Sequence, residues 1–189
     1  MKKLSLICIA IIISFTSCKN EKTEVKSVET IETETANVAP KKVKIALSAK
    51  SDSNVSGNVV FKETDGSVSM TAIISGLTAG KHAIHIHESA DCSSTDGKSA
   101  GGHWNPTSQP HGKWGDAKGY HKGDIGNFTA DDNGNGTISF STDEWCIGCG
   151  DATKDILGKA VIVHAGEDDL TSQPSGAAGA RVSCAGIIQ

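Results

Sequence analysis

Six of the chain's seven histidines fall between residues 82 and 124, in one Gly-rich stretch with little capacity for regular structure. It reads His82-Ala-Ile-His85-Ile-His87, then Gly101-Gly-His103-Trp-Asn-Pro106, then His111-Gly112, then His121-Lys-Gly-Asp124; the seventh histidine is His164. In a β-strand, residues i and i+2 project to the same face. His85 and His87 can therefore reach one ion while Ile84 and Ile86 turn the other way into a core. His121 and Asp124, on either side of Gly123, can close on a second ion, with His111 supplied from the loop before them. Imidazole suits copper and zinc, and a carboxylate oxygen suits zinc. A single histidine is more often a surface or satisfied core residue than a ligand, but a set spaced like this one marks a metal site.

The scaffold around these residues reads as strands. Short runs of alternating or continuous apolar character occur at Val43–Leu47, Gly57–Phe61, Val68–Ile74, Ile84–His87, Gly136–Phe140, Ala160–His164 and Arg181–Cys184. Asp65-Gly66 and Asn133-Gly134 supply hairpin turns between such runs. No long stretch carries a 3.6-residue period. About eight strands in an all-β sandwich or Greek-key barrel are expected, as one domain over residues 43–189. Only eight aromatic residues are present in the whole chain, so the core is expected to lean on Val, Ile, Leu and Ala.

Ahead of that domain, Met1-Lys2-Lys3 is basic and Leu4–Phe15 is apolar but too short to span a bilayer as a helix, the pattern of an export signal. The run ends in Phe15-Thr-Ser-Cys18, which resembles a bacterial lipobox in which Cys18 is lipidated; the alternative is an ordinary signal peptide with an incidental cysteine. Residues 1–18 are accordingly read as a signal. Residues 19–42, where five lysines balance five glutamates and no aromatic occurs, are read as a flexible tether, with a short Glu-rich helix as the alternative.

Taken together, His82–Glu88, Asp91-Cys92, Ser99–Pro106, His111-Gly112, His121–Asn127, Val161–His164, Asp168–Leu170 and Gly179–Cys184 resemble the copper/zinc superoxide dismutase family over essentially all of residues 43–189. The resemblance implies copper ligands at His85, His87, His103 and His164, and zinc ligands at His103, His111, His121 and Asp124. His103 would be shared, as an imidazolate that two flanking cations make accessible. It places His82 one layer out from the ligands and Asp168 as the carboxylate linking a copper histidine to a zinc histidine, with a solvated loop acid as the alternative for Asp168. The implied activity is dismutation of superoxide to dioxygen and hydrogen peroxide by redox-cycling copper, with zinc holding its ligands and setting the basicity of His103.

The same resemblance sets Arg181 beside copper as an anion guide; a structural salt bridge is the other reading. Steering matters because loss of Lys2 and Lys3 with the signal would take the formal charge from −4 to −6, repelling an anionic substrate. That acidic balance also gives no reason to expect a nucleic-acid partner. The segment Leu170–Ala180 carries no charge, whereas many relatives have a longer electrostatic loop with guiding charges. Cys92 and Cys184 match the family disulfide, implying oxidising surroundings. Trp145-Cys146-Ile-Gly-Cys149 lies outside the family pattern and is open to a local disulfide, an extra metal site or a redox role. The chain is thus expected to be an exported, membrane-tethered lipoprotein of a bacterial envelope, periplasm-facing or cell-surface, monomeric or homodimeric. The alternative function is a membrane-tethered copper-binding or delivery protein of the same fold.

Overall fold

The computed structural model describes residues 41–189; the expectations for Cys18, the signal and residues 19–40 lie outside the described residues. Among the described residues eight strands follow one another: β1 (Lys41–Ala49), β2 (Ser56–Thr64), β3 (Ser67–Ser75), β4 (Gly80–His87), β5 (Gly126–Ala130), β6 (Gly136–Thr142), β7 (Ala160–His164) and β8 (Arg181–Gly186). They close into an antiparallel barrel in the order β1-β2-β3-β6-β5-β4-β7-β8, with β8 pairing back onto β1. The β3–β4 and β6–β7 connections join strands that are not neighbours, which is Greek-key connectivity.

Both expected turns are present. Asp65-Gly66 joins β2 to β3, with Asp65 at φ 51° and Gly66 at φ 76°, the left-handed conformation that such a two-residue turn requires. Asn133-Gly134 lies in the loop between β5 and β6. Two details differ from expectation. β1 begins at Lys41, so Lys41 and Lys42 pair with Glu63 and Lys62 instead of belonging to the tether. β5, Gly-Asn-Phe-Thr-Ala, is a strand that no apolar run announced; it is short, and its long pairing is with β4 while only Ala130 pairs with β6.

The interior follows period-two alternation. Val59, Phe61, Val68, Met70, Ala72 and Ile74 line one side of β2 and β3, and their alternating partners face water. The core is more aromatic than its composition suggested: Phe61, Phe128, Trp104 and Trp145 are all buried. β4 does not alternate, because residues 82 to 87 are buried on both faces, His82, Ile84 and Ile86 toward the barrel interior and Ala83, His85 and His87 beneath covering loops.

Those loops are the β4–β5 and β7–β8 connections. A disulfide between Cys92 and Cys184 pins the first of them to β8. With a sequence separation of 92, this link removes about 4–5 kcal/mol of unfolded-chain entropy. The second disulfide, Cys146–Cys149, spans a separation of three in the β6–β7 connection and constrains little unfolded chain.

Candidate metal centre

β4 sends His85 and His87 to its outer face, and β7, its antiparallel neighbour, ends at His164 beside them. The β4–β5 loop then folds back on the strand. Ile86 donates its N–H to Gly123 O at 2.9 Å, Trp104 N–H to Ile86 O at 2.8 Å, and Gly123 N–H to Trp104 O at 3.0 Å. Only glycine fits at 123, since a Cβ there would overlap the Ile86 carbonyl. This three-way lacing puts His103 and His121-Lys-Gly-Asp124 directly behind the histidines of β4.

Two four-donor sets result, His85/His87/His103/His164 and His103/His111/His121/Asp124, each with its ligand atoms within 4.8 Å of one another and every residue buried. The structure therefore brings together all seven residues expected to ligate metal, with His103 common to both sets. In the first set, His85 Nδ1 and the Nε2 atoms of His87, His103 and His164 are buried with no hydrogen-bond partner among the described residues. Four unsatisfied nitrogens facing one point would be costly unless a cation joins them.

In the second set, His103 Nδ1, His111 Nδ1 and His121 Nδ1 lie 2.8, 3.1 and 3.2 Å from Asp124 Oδ1, the latter two without hydrogen-bond alignment. Tetrahedral ligands at zinc–nitrogen distances near 2.0 Å are separated by about 3.3 Å, close to this spacing. The other oxygen, Asp124 Oδ2, is already taken by the N–H groups of Gly112 at 3.1 Å and His121 at 2.8 Å. Only Oδ1 is left to ligate.

Outward-facing nitrogens are anchored. His87 Nδ1 and His164 Nδ1 meet the carbonyls of Gly101 at 3.0 Å and Gly179 at 3.2 Å. Asp168 accepts from His85 Nε2 at 2.8 Å and His111 Nε2 at 2.9 Å, so one carboxylate joins the two sets as expected, and it is fully buried rather than a solvated loop acid. His82 does not approach either set; its Nδ1 lies 2.9 Å from the His164 carbonyl and its Nε2 2.8 Å from the Thr78 carbonyl. Such outer partners fix the tautomer and orientation of a ligating ring.

Three residues to which the sequence motifs gave no role hold this frame. Asn127 grips the Asp168 backbone twice, Nδ2 to the carbonyl and Oδ1 from the N–H, both at 2.8 Å. Gln173 does the same to His111, at 2.9 and 2.8 Å, tying the two loops together. Glu88 accepts from Gly102 N–H at 3.3 Å. Their roles depend on contacts 14 to 62 residues apart in sequence, which no short motif exposes.

In the metal-free state, burial pushes His103 down to about 4 and His164 to about 3, and holds His87 well below its ordinary value. These rings are neutral and ready to ligate at neutral pH. Burial also opposes charge on His111, but its contacts with Asp124 and Asp168 prevail and raise it to about 9. Asp124 and Asp168 likewise resist the upward push of burial and lie well below the usual carboxylate range, because histidines surround them.

A cleft of about 400 Å³ opens onto His87, His103 and His164, with Arg181 at its edge. Among the described residues Arg181 makes no salt bridge to an acid; Nη1 donates to Gly97 O and Nη2 to Gly101 O, both at 2.8 Å. The guanidinium is thus fixed beside the cleft by neutral carbonyls, with the Asp96 charge acting on it without direct contact.

The described residues thus form a closed eight-stranded Greek-key barrel with two buried four-donor sets that share one imidazole and could each hold a metal ion. The family model for copper/zinc superoxide dismutase matches residues 55–187, and the chain belongs to that family. It is also similar to the crystal structure of the clock protein EA4, at 33% sequence identity and a TM-score of 0.67, over 79% of this chain and 96% of that one.

Proposed function

We propose that this protein dismutes superoxide, converting two superoxide anions and two protons to dioxygen and hydrogen peroxide. The observation that carries this reading is His103, whose Nε2 belongs to the four-nitrogen set and whose Nδ1 belongs to the set containing Asp124. His85, His87, His103 and His164 would hold copper, and His103, His111, His121 and Asp124 would hold zinc. Bound there, copper supplies a one-electron couple and zinc a fixed charge without redox chemistry.

The chain's own residues do the rest. Arg181, immobilised by two carbonyls, offers an oriented cation to a small anion entering the cleft. His103 lines that cleft, and its Nε2, when free, could hold a proton and deliver it to a reduced oxygen species there. The ring would keep its orientation meanwhile, because its Nδ1 would stay in the zinc set beside His111, His121 and Asp124. His111, locked by Gln173 and Asp168, keeps the zinc-binding loop closed over the frame and excludes water from behind.

The test is metal content together with superoxide decay. His164→Ala is expected to abolish dismutation and copper binding while zinc remains; His121→Ala is expected to lose zinc first. Equal loss of both metals from His164→Ala, or a fully loaded protein that binds copper without dismuting, would refute the proposal and leave copper binding or delivery as the function.

Export and membrane tethering through Cys18 form part of the same proposal, supported by the basic start, the short apolar run and the polar segment after it. Cys18→Ser is expected to move the protein from the detergent to the aqueous phase on partitioning, and unchanged partitioning counts against an acyl anchor.

A further inference from the structure

The two cysteines outside the family pattern lie next to the residues that grip the zinc-binding loop. Glu144 and Trp145, immediately before Cys146, hold residues 120–122 at three points. Glu144 Oε1 accepts from Tyr120 Oη at 2.6 Å, Glu144 Oε2 pairs with Lys122 Nζ, and Trp145 Nε1 donates to Lys122 O at 2.8 Å. His121, which belongs to the zinc set, sits between the two gripped residues. The Trp145 ring is buried against Phe61, Phe140 and Trp114, and Trp114 in turn packs on Tyr120 with ring centroids 4.9 Å apart.

What holds Glu144-Trp145 in place is the folded knot that follows. Cys146 and Cys149 are disulfide-bonded. The Asp155 carboxylate accepts from the N–H groups of Gly148 and Leu157 on Oδ1 and of Gly150 on Oδ2. Cys146 itself pairs with the far side of the knot, its N–H to Lys154 O at 2.8 Å and its carbonyl from Ile156 N–H at 3.1 Å. With both oxygens of Asp155 engaged by backbone and the two sulfurs joined, the cluster Cys146/Cys149/Asp155 serves the fold and is no metal site in this form.

We infer that the Cys146–Cys149 disulfide locks Glu144 and Trp145 onto the loop around His121, so that they are positioning residues for zinc and thiol reduction of this one disulfide loosens the zinc site. The inference rests on the assignment of His121 and Asp124 to zinc. The two disulfides differ in access: Cys149 is exposed at the surface, whereas Cys184 is buried at 1% exposure and Cys92 is half-buried. An external thiolate can attack Cys149 Sγ, forming a mixed disulfide and expelling Cys146 as a thiolate that takes up a proton. A second thiolate then attacks the external sulfur, releasing Cys149 and yielding the oxidised external disulfide, so two electrons enter the protein. Exposed disulfides are the labile ones, so this link opens before Cys92–Cys184.

The test uses the fully metal-loaded protein and a limiting monothiol, with mass mapping to show which disulfide has opened and a chromophoric chelator to follow zinc release. Opening of Cys146–Cys149 alone is expected to speed zinc release about tenfold, the scale of losing one or two such hydrogen bonds. The double variant Cys146→Ser/Cys149→Ser should release zinc at that faster rate without thiol and gain nothing further from it. Trp145→Phe, which replaces the indole by a smaller aromatic ring without the N–H, and Glu144→Gln should each show a smaller increase. With cobalt(II) in the zinc site, the visible bands should shift in the same variants, a change that a purely structural knot would not cause. The inference is overturned if Cys92–Cys184 opens first, or if the selectively reduced wild type keeps its zinc release rate and cobalt spectrum. Should the double variant fail to fold, the selectively reduced wild type decides alone. Because zinc release is read directly, the outcome is independent of whether the protein dismutes superoxide.

Discussion

Replacing Asp168 by asparagine should weaken the copper set more than the zinc set, although Asp168 touches a ligand of each. Once metals occupy His85 Nδ1 and His111 Nδ1, both rings carry their remaining proton on Nε2, so each must donate to Asp168. The carboxylate satisfies both, with Oδ2 2.8 Å from His85 and Oδ1 2.9 Å from His111, and Oδ1 also takes the Leu170 N–H at 2.7 Å. Asparagine has one acceptor oxygen and one NH₂ group. Its oxygen should settle on the side where two donors point, toward His111 and Leu170, which leaves the NH₂ facing the His85 N–H. Asn127 clamps the backbone of residue 168, so the side chain cannot escape by a loop shift.

Losing a buried, charge-assisted hydrogen bond costs about 1.5–3 kcal/mol. Copper affinity should therefore fall about 10- to 100-fold, with a lesser effect on zinc. Gly176→Ala provides an independent check: a Cβ at 176 would overlap the Asp168 carboxylate and crowd His111 Nε2, and φ +69° is already unfavourable for alanine, so both metals should loosen. The assay is competition with chromophoric chelators for each metal in turn. Unchanged affinities in Asp168→Asn, or loss of zinc with copper intact, would refute the reasoning.

Arg181→Lys should retain part of the dismutation rate per bound copper, and Arg181→Glu should lose most of it with copper still bound. The difference should shrink as salt screens attraction over about 8–10 Å, and identical rates at low salt would remove the guiding role. Without metals, stability should peak near neutral pH. Above about 6.5 the buried, neutral His103 and His164 cost nothing; as pH falls toward their folded values of about 4 and about 3 the unfolded chain binds more protons and stability drops. His111 acts oppositely: its raised value gives stability that is complete below about 6.5 and lost as pH rises through about 9. Thermal melts of metal-free protein across pH should show both limbs. Zinc, by displacing the His111 Nδ1 proton, should abolish the alkaline one.

Much of this site is visible before folding because its chemistry uses rare residues at strand spacing. His85 and His87 must share a face of any strand that contains them, and Asp65-Gly66 must turn in any hairpin, since both follow from local geometry alone. The spacing of the histidine motifs is enough to suggest two metals, whereas the shared ring at His103 is what the family resemblance implies. Tertiary structure alone decides the rest. That β7 lies beside β4, placing His164 next to His85 and His87, is a matter of barrel order. β5 forms a strand because β4 offers it an unpaired edge, not because Gly126–Ala130 is strongly apolar. Asn127, Gln173, Glu144 and Trp145 gain their roles from partners far away in the chain, and an amide or a carboxylate in a loop looks the same with or without such a partner. Arg181 is anchored by the carbonyls of Gly97 and Gly101 instead of by an acid, and backbone oxygens are present at every residue, so no side-chain pattern could indicate which two would converge on it.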